Sequence, residues 1–323
     1  MKKILHIGMQ KCASTSFQYL MLDLENVYFL GKDAHSRKFN KYIDKSTKDA
    51  MYDCLFAASS IDYRKSSVER IFLDHITEAE RNNYPFFCIS DENFCHPGWH
   101  IETQTMLTRM LDIIGKDDTD VVIIIRKQWD YMKSYYHNMI RTSNYPHSYQ
   151  FFCEYVLLHY NCFLMPYLEY DKLIDSLSNI TPNLKVITLA EFTSDESWIH
   201  KELNVNNIRK HVNKSLPESW MEWKRKKSYR YKIYRHDAFY NRFLWPTYKN
   251  HARNNSETFT ATCDELDTKY NFNSRSNKLI SRIDRILFNR KLNYDVTENV
   301  RNALSQKFNE SNQRLNDKYN IKL

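Results

Sequence analysis

Apolar positions follow two different periods along the first two hundred residues. Short apolar runs at 3–7, 86–90, 121–125 and 185–189 read as buried strands. A strand covered on both faces shows a near-continuous apolar run rather than alternation. Between these runs the period lengthens. Phe17, Leu20, Met21 and Leu24 fall at i, i+3, i+4 and i+7. Val68, Ile71, Phe72 and Ile76 line one side of a helix predicted over 66–82. The same pattern predicts helices at about 128–141, 149–159 and 167–178, and a last one over 297–319. Short strands alternating with helices predict an α/β fold with a central, mainly parallel sheet. After about residue 200 no further buried strand is evident. The chain is therefore read as one domain over 1–323, an α/β core of about 1–200 and a mainly helical extension of about 201–323. No repeat and no Gly/Ser- or Pro-rich linker divides it.

Composition narrows the class. Of 323 residues 42% are hydrophobic, which excludes wholesale disorder, and 4 Gly with 7 Pro exclude collagen-like or linker-dominated chains. The longest aliphatic run, Val121-Val122-Ile123-Ile124-Ile125, is far short of the roughly 20 residues a helix needs to cross a bilayer. The start, Met1-Lys2-Lys3, has a basic flank but no apolar core behind it, so a cytoplasmic protein without a signal peptide is expected. Seven cysteines with no Cys-x-x-Cys pair argue against a zinc ribbon, a thioredoxin motif and a disulfide framework.

Charge is uneven. Between residues 209 and 253 thirteen Lys or Arg face three acidic residues, so this stretch carries +10 of a net +8 and the rest of the chain is slightly acidic. Trp220, Trp223, Tyr229, Tyr231, Tyr234, Tyr240, Trp245 and Tyr248 interleave with the cations. Such a mixture suits acidic polymers, sugars or nucleic acid, and equally a solvated basic face over an aromatic core. No named nucleic-acid motif is present, so no nucleic-acid partner is expected.

The strongest chemistry lies where the first strand meets the first helix, in Ile4-Leu5-His6-Ile7-Gly8-Met9-Gln10-Lys11-Cys12-Ala13-Ser14-Thr15-Ser16-Phe17. A parallel α/β protein cradles phosphate at this turn, because unsatisfied N–H groups and the helix dipole both favour an anion there. Against the pattern G-x-x-x-x-G-K-[ST], the second Gly is Ala13, the Lys position is Ser14, and the lysine stands inside the loop as Lys11. Val121–Ile125 ends in Arg126 rather than in an Asp for Mg²⁺. The loop fits a phosphate-like group without a metal-bound triphosphate. A Cys-x₅-Arg phosphatase loop fails, since Gln18 stands where Arg is required, and Cys12 reads as a loop filler. Arg126 would sit at the carboxyl edge of the sheet, where α/β ligands bind, with the hydroxyl of Ser134 eight residues further on. His6, inside a strand, reads as a satisfied core histidine.

Together these residues resemble the sulfotransferase family, which moves a sulfuryl group from 3′-phosphoadenosine-5′-phosphosulfate (PAPS). Lys11-Cys12-Ala13-Ser14-Thr15-Ser16 is similar to the family's 5′-phosphosulfate loop, usually Lys-x-Gly-Ser/Thr-Thr-Ser, with Ala13 in place of Gly. An added methyl there crowds the backbone near the ligand. Arg126 with Ser134 resembles the family's 3′-phosphate site. Ser90-Asp91-Glu92, Leu189-Ala190-Glu191-Phe192 and Phe308-Asn309-Glu310-Ser311-Asn312 resemble segments of bacterial carbohydrate sulfotransferases. The resemblance implies a P-loop-like three-layer sandwich, PAPS as donor and no metal. It implies in-line attack by a carbohydrate hydroxyl, of a surface or capsular polysaccharide or its precursor. By composition the basic aromatic part 217–253 suits an acidic polysaccharide. Lys11 is then the catalytic cation and Glu92 the general base, with Asp91 and His96 as substitutes. Asn213-Lys214-Ser215 resembles a segment that closes over the nucleotide. Two readings from other classes stand beside this one: a nucleotide or small-molecule kinase with a degenerate phosphate loop, and a non-catalytic polyanion-binding protein.

Overall fold

The computed structural model describes residues 1–33, 42–56, 58–96, 101–143, 147–159, 164–194, 198–203 and 293–323. The basic aromatic stretch 209–253, Asn213-Lys214-Ser215 and most of the expected extension lie outside these residues. The chain forms two units. The first comprises Met1–Tyr131, His159–Val212 and Ala303–Leu323, and the second Met132–Leu158 and Asn213–Asn302.

The first unit is built on five parallel strands in the order β2-β3-β1-β4-β5. β1 (Lys2–His6) pairs with β3 (Phe86–Ser90) on one side and with β4 (Thr119–Ile125) on the other. β2 (Val27–Gly31) and β5 (Leu184–Thr188) form the edges. All seven residues of β4 are buried, so helices cover it on both faces, as its unbroken aliphatic run requires. The predicted strands are present within one or two residues of their expected limits. The helix predicted over 66–82 is α3 (Ser66–Arg81), whereas β2, the short helix α2 (Lys45–Asp49) and the helix α4 (Thr103–Ile114) were not expected. β2 carries a strand signal in Val27-Tyr28-Phe29-Leu30, and α4 buries Met106, Leu107, Met110, Leu111, Ile113 and Ile114.

The chain enters β1 at the centre of the sheet, moves outward to β2, and crosses back to β4 on the opposite side. The carboxyl end of β1 is therefore a switch point, where an open parallel sheet leaves a crevice. The ladder does not stop at His6. Ile7 N–H donates to Val122 O at 3.0 Å and Ile124 N–H to Gly8 O at 2.9 Å, which ties the next loop to β4.

On the β5 side the predicted helix over 167–178 is two helices, α7 (Met165–Leu168) and α8 (Tyr170–Ser178), broken at Glu169. The C-terminal helix Glu298–Tyr319 docks here through Ser311, Arg314 and Lys318. Ser311 Oγ and Arg314 Nε both bond the Asp171 carboxylate, and Lys318 Nζ lies 2.7 Å from Asp175 Oδ1.

The second unit holds most of α5 (Gln128–Ser143) and all of α6 (Tyr149–Leu158). Its core is aromatic: Tyr136, Tyr149 and Phe152 are buried against one another. Tyr294 sits edge-on to Tyr149 and takes the Lys133 ammonium over its ring at 4.0 Å. No helix among the described residues is long and apolar enough to cross a membrane.

Candidate active site

The loop after β1 is wound tightly. Gly8, Lys11 and Ala13 all have positive φ, at 119°, 63° and 62°. A Cβ on Gly8 would come within 3.1 Å of the Glu92 carbonyl, so glycine serves both the backbone angle and the close approach of the loop to the turn after β3. Ala13 occupies the left-handed region where the resembling motif carries glycine. An L-residue there costs about 1–2 kcal/mol. Cys12 N–H and Ser14 Oγ both donate to the Met9 carbonyl, at 3.2 and 2.9 Å, and brace the turn from within.

The loop delivers the N-terminus of α1 (Ser14–Asp23). No side chain caps this helix. Its first-turn donors face the sheet edge under the positive end of the helix dipole. The loop around them is half-buried at Lys11, Ala13, Thr15 and Ser16. Cys12 is fully buried, and burial pushes its thiol far up despite the nearby Arg126. It is a packed thiol, not a nucleophile.

Arg126, one residue beyond β4, reaches the same loop. Its guanidinium lies 3.4 Å from the Lys11 carbonyl, across 115 positions of sequence. Among the described residues it has no carboxylate partner, and its buried Nε has no hydrogen-bond partner. The turn that carries it is braced from below. Tyr170 Oη donates to the Arg126 carbonyl at 2.6 Å, and Gln128 exchanges amide hydrogen bonds with Asn312 of the C-terminal helix. Ser134 is half-buried on α5 and belongs to the second unit.

The turn after β3 contributes a buried polar cluster. Glu92 Oε1 accepts from Lys32 Nζ at 2.8 Å and Oε2 from Gln18 Nε2 at 3.2 Å. Asp91 Oδ1 accepts from Asn93 N–H at 2.9 Å, with Lys32 at 3.4 Å, while Oδ2 is buried without a partner among the described residues. Burial pushes both carboxyls up. For Glu92 the close ammonium overcomes this and holds the group below the ordinary glutamate value; for Asp91 burial wins. Lys32 would be drawn down by burial, but Asp91 and Glu92 keep it well above the usual lysine range. His6 Nδ1 pairs with Ser90 Oγ at 2.8 Å and the ring stacks on Phe17 at 4.2 Å, but Nε2 is buried without a partner. Burial lowers this imidazole to about 4, so it is neutral at pH 7.

Thus Lys11, Cys12, Ala13, Ser14, Thr15, Ser16, Asp91, Glu92 and Arg126 meet at one edge of one sheet, as the parallel order requires of residues that follow β1, β3 and β4. Lys32, Gln18, Asn93 and Tyr170 were not expected there. Glu191 follows β5 but is engaged locally: with Thr188 it forms a capping box, Thr188 N–H donating to its Oε2 at 2.7 Å.

No protein-family profile matches the chain, and no curated protein matches it. Among solved structures, the crystal structure of a sulfotransferase from Alicyclobacillus acidocaldarius is similar, with 15% sequence identity and a TM-score of 0.42 over 66% of this chain and 87% of that one.

Proposed function

We propose that the chain is a sulfotransferase that uses PAPS to sulfate a hydroxyl of a carbohydrate acceptor. The observation that carries this reading is Arg126. A half-buried guanidinium without a carboxylate among the described residues stands against the loop that opens α1, so a cation and an uncapped helix N-terminus share one edge. Both await an anion.

The residues fit the donor's two phosphate ends. The backbone donors of 14–16 suit the 5′-phosphate, with Lys11 as the cation beside it, and Arg126 suits the 3′-phosphate. Ser134 joins Arg126 in this assignment on the sequence pattern. The donor supplies an activated sulfuryl group: a bond forms from the acceptor oxygen to sulfur, the bond from sulfur to the phosphate oxygen breaks, and the electron pair leaves with adenosine 3′,5′-bisphosphate. Lys11 and the helix dipole favour the charge left on that phosphate. Glu92 takes the hydroxyl proton. It is half-buried whereas Asp91 is fully buried, which favours Glu92 for contact with an acceptor. The carbohydrate acceptor rests on the resemblance at Ser90-Asp91-Glu92 and on the basic aromatic stretch 217–253.

The test is thermal stabilisation by adenosine 3′,5′-bisphosphate against ADP and ATP–Mg²⁺. Ligand at about 100 times its Kd adds about 2.7 kcal/mol, a rise of roughly 2–4 °C in a chain of this size. A shift specific to the bisphosphate is expected. A shift with ATP–Mg²⁺ alone would point to a kinase, and no shift with any nucleotide to a polyanion-binding role for 209–253.

A further inference from the structure

Lys32 has no part in the roles above, yet it is 5% exposed and spends its charge on two carboxylates at the site. It grips one oxygen of Glu92 from the end of β2, while Gln18 grips the other from α1. The grip has a cause in the sequence. A Cβ on Gly31 would meet the Phe29 ring at 2.6 Å and the Ser90 carbonyl at 2.8 Å. Glycine lets β2 end against β3, and the next side chain then reaches Glu92. Resting on the sulfuryl-transfer reading, we infer that Lys32 is a positioning residue that holds Glu92 as an oriented anion at the sheet edge and so sets the pH range in which Glu92 can take the acceptor's proton.

Among the described residues, the other titratable groups facing Glu92 are Asp91 beside it, His6 on β1, Tyr52 from the π-helical turn Ala50–Phe56, and His96 at the end of the 3₁₀ turn Glu92–Cys95. Burial holds both histidines down at about 4. They are neutral through the working range, and Lys32 is the cation that decides the charge of Glu92 there.

The test uses Lys32→Met, Lys32→Arg and the double variant Lys32→Met/Glu92→Gln. Ligand-free protein is unfolded at pH 5 and at pH 8. Lys32→Met should be less stable than wild type, with the larger deficit at pH 8, because protonation at pH 5 relieves a carboxylate stranded by loss of its cation. The double variant should lose the part of that pH dependence that Glu92 carries, the remainder belonging to Asp91, which also loses its cation. In transfer assays the wild type should show no acid limb from Glu92 between pH 5 and 8, any shallow slope there belonging to Asp91, which burial raises to about 6. Lys32→Met should acquire a further acid limb that leaves the rate at pH 6 about tenfold below that at pH 8, as for a buried glutamate titrating near neutrality. Lys32→Arg should restore the wild-type profile, and stabilisation by the bisphosphate should be the same in all variants. Equal deficits at both pH values, or a Lys32→Met profile parallel to wild type, would overturn the inference. If Lys32→Met does not fold, the double variant decides: one no better folded than the single variant sinks the coupling. Loss of the bisphosphate shift in the wild type is a different result, which overturns the functional reading while the ligand-free cycle still reads the pair.

Discussion

Arg126 and Lys32 each stand one residue beyond the carboxyl end of a strand in the same parallel sheet, β4 for the first and β2 for the second. Both are shielded from water to some degree, and there the likeness ends. Lys32 lies 2.8 Å from one carboxylate and 3.4 Å from another. Arg126 meets a backbone carbonyl at 3.4 Å and, among the described residues, no carboxylate. A buried charge needs a partner. Lys32 has its partner within the chain and belongs to the machinery that holds the site. Arg126 keeps its capacity in reserve, which is what a residue that must bind an exchangeable anion requires. On the proposed reading the contrast is that between a scaffold cation and a ligand cation.

The largest effect should fall on the scaffold side. Lys32→Met should cost about 3–5 kcal/mol of stability in denaturant unfolding at pH 7, the usual result of breaking a buried pair from one end. A loss under about 1 kcal/mol would remove the distinction. On the ligand side, Arg126→Ala strands no carboxylate, so its stability should stay within about 0.5 kcal/mol of wild type. Its affinity for the bisphosphate should fall roughly 10- to 150-fold, the cost of a charged hydrogen bond worth ~1.5–3 kcal/mol. The reverse pattern, unfolding without loss of affinity, would exchange the two roles.

The pH dependence sharpens the comparison further. Buried His6 has a folded pKa of about 4, below the ordinary histidine value of 6.5. Between these values the unfolded chain binds a proton that the folded one refuses, so stability is full above about pH 6.5 and is lost as pH falls toward 4. The slope should approach about 1.4 kcal/mol per pH unit. His6→Gln should make this window shallower in acid unfolding curves by the share His6 carries, buried His96, also held down at about 4, keeping its own. The smallest effect is expected at Ala13. Glycine there removes the left-handed penalty of about 1–2 kcal/mol and adds about 0.5–1 kcal/mol of backbone entropy, so Ala13→Gly should raise stability by up to about 1.5 kcal/mol. Destabilisation would mean that the alanine methyl packs usefully in the loop.

Much of this edge was legible before any coordinates. The unbroken aliphatic run of β4 announced a central strand, and Arg126 behind it could be placed at the carboxyl edge from strand polarity alone. The turn from His6 to Ser16 announced itself by its residue types. β2 is harder to read although Val27-Tyr28-Phe29-Leu30 is as apolar as β3, because it follows the first helix after only three residues and its Tyr28 is half-exposed. Losing β2 also hid Lys32, since nothing local connects residue 32 to residue 92. Contacts such as Tyr170 to Arg126 and Gln128 to Asn312 depend on which elements pack together, and a helical pattern gives the face but not its partner. The left-handed backbone at Ala13 was hidden for the opposite reason: the residue type argues against the conformation that the loop imposes.

The bracing of Arg126 by the C-terminal helix also bears on the order in which the site is assembled. Lys32 and Glu92 are 60 positions apart, whereas Gln128 and Asn312 are 184 apart. Closing the longer loop costs more entropy and rewards the chain later. The glutamate side of the edge can be complete once β1, β2 and β3 have paired, while the arginine side waits for Glu298–Tyr319 to dock. Folding would then finish this edge from one end to the other, and on the proposed reading the donor site would be among the last parts of the protein to form.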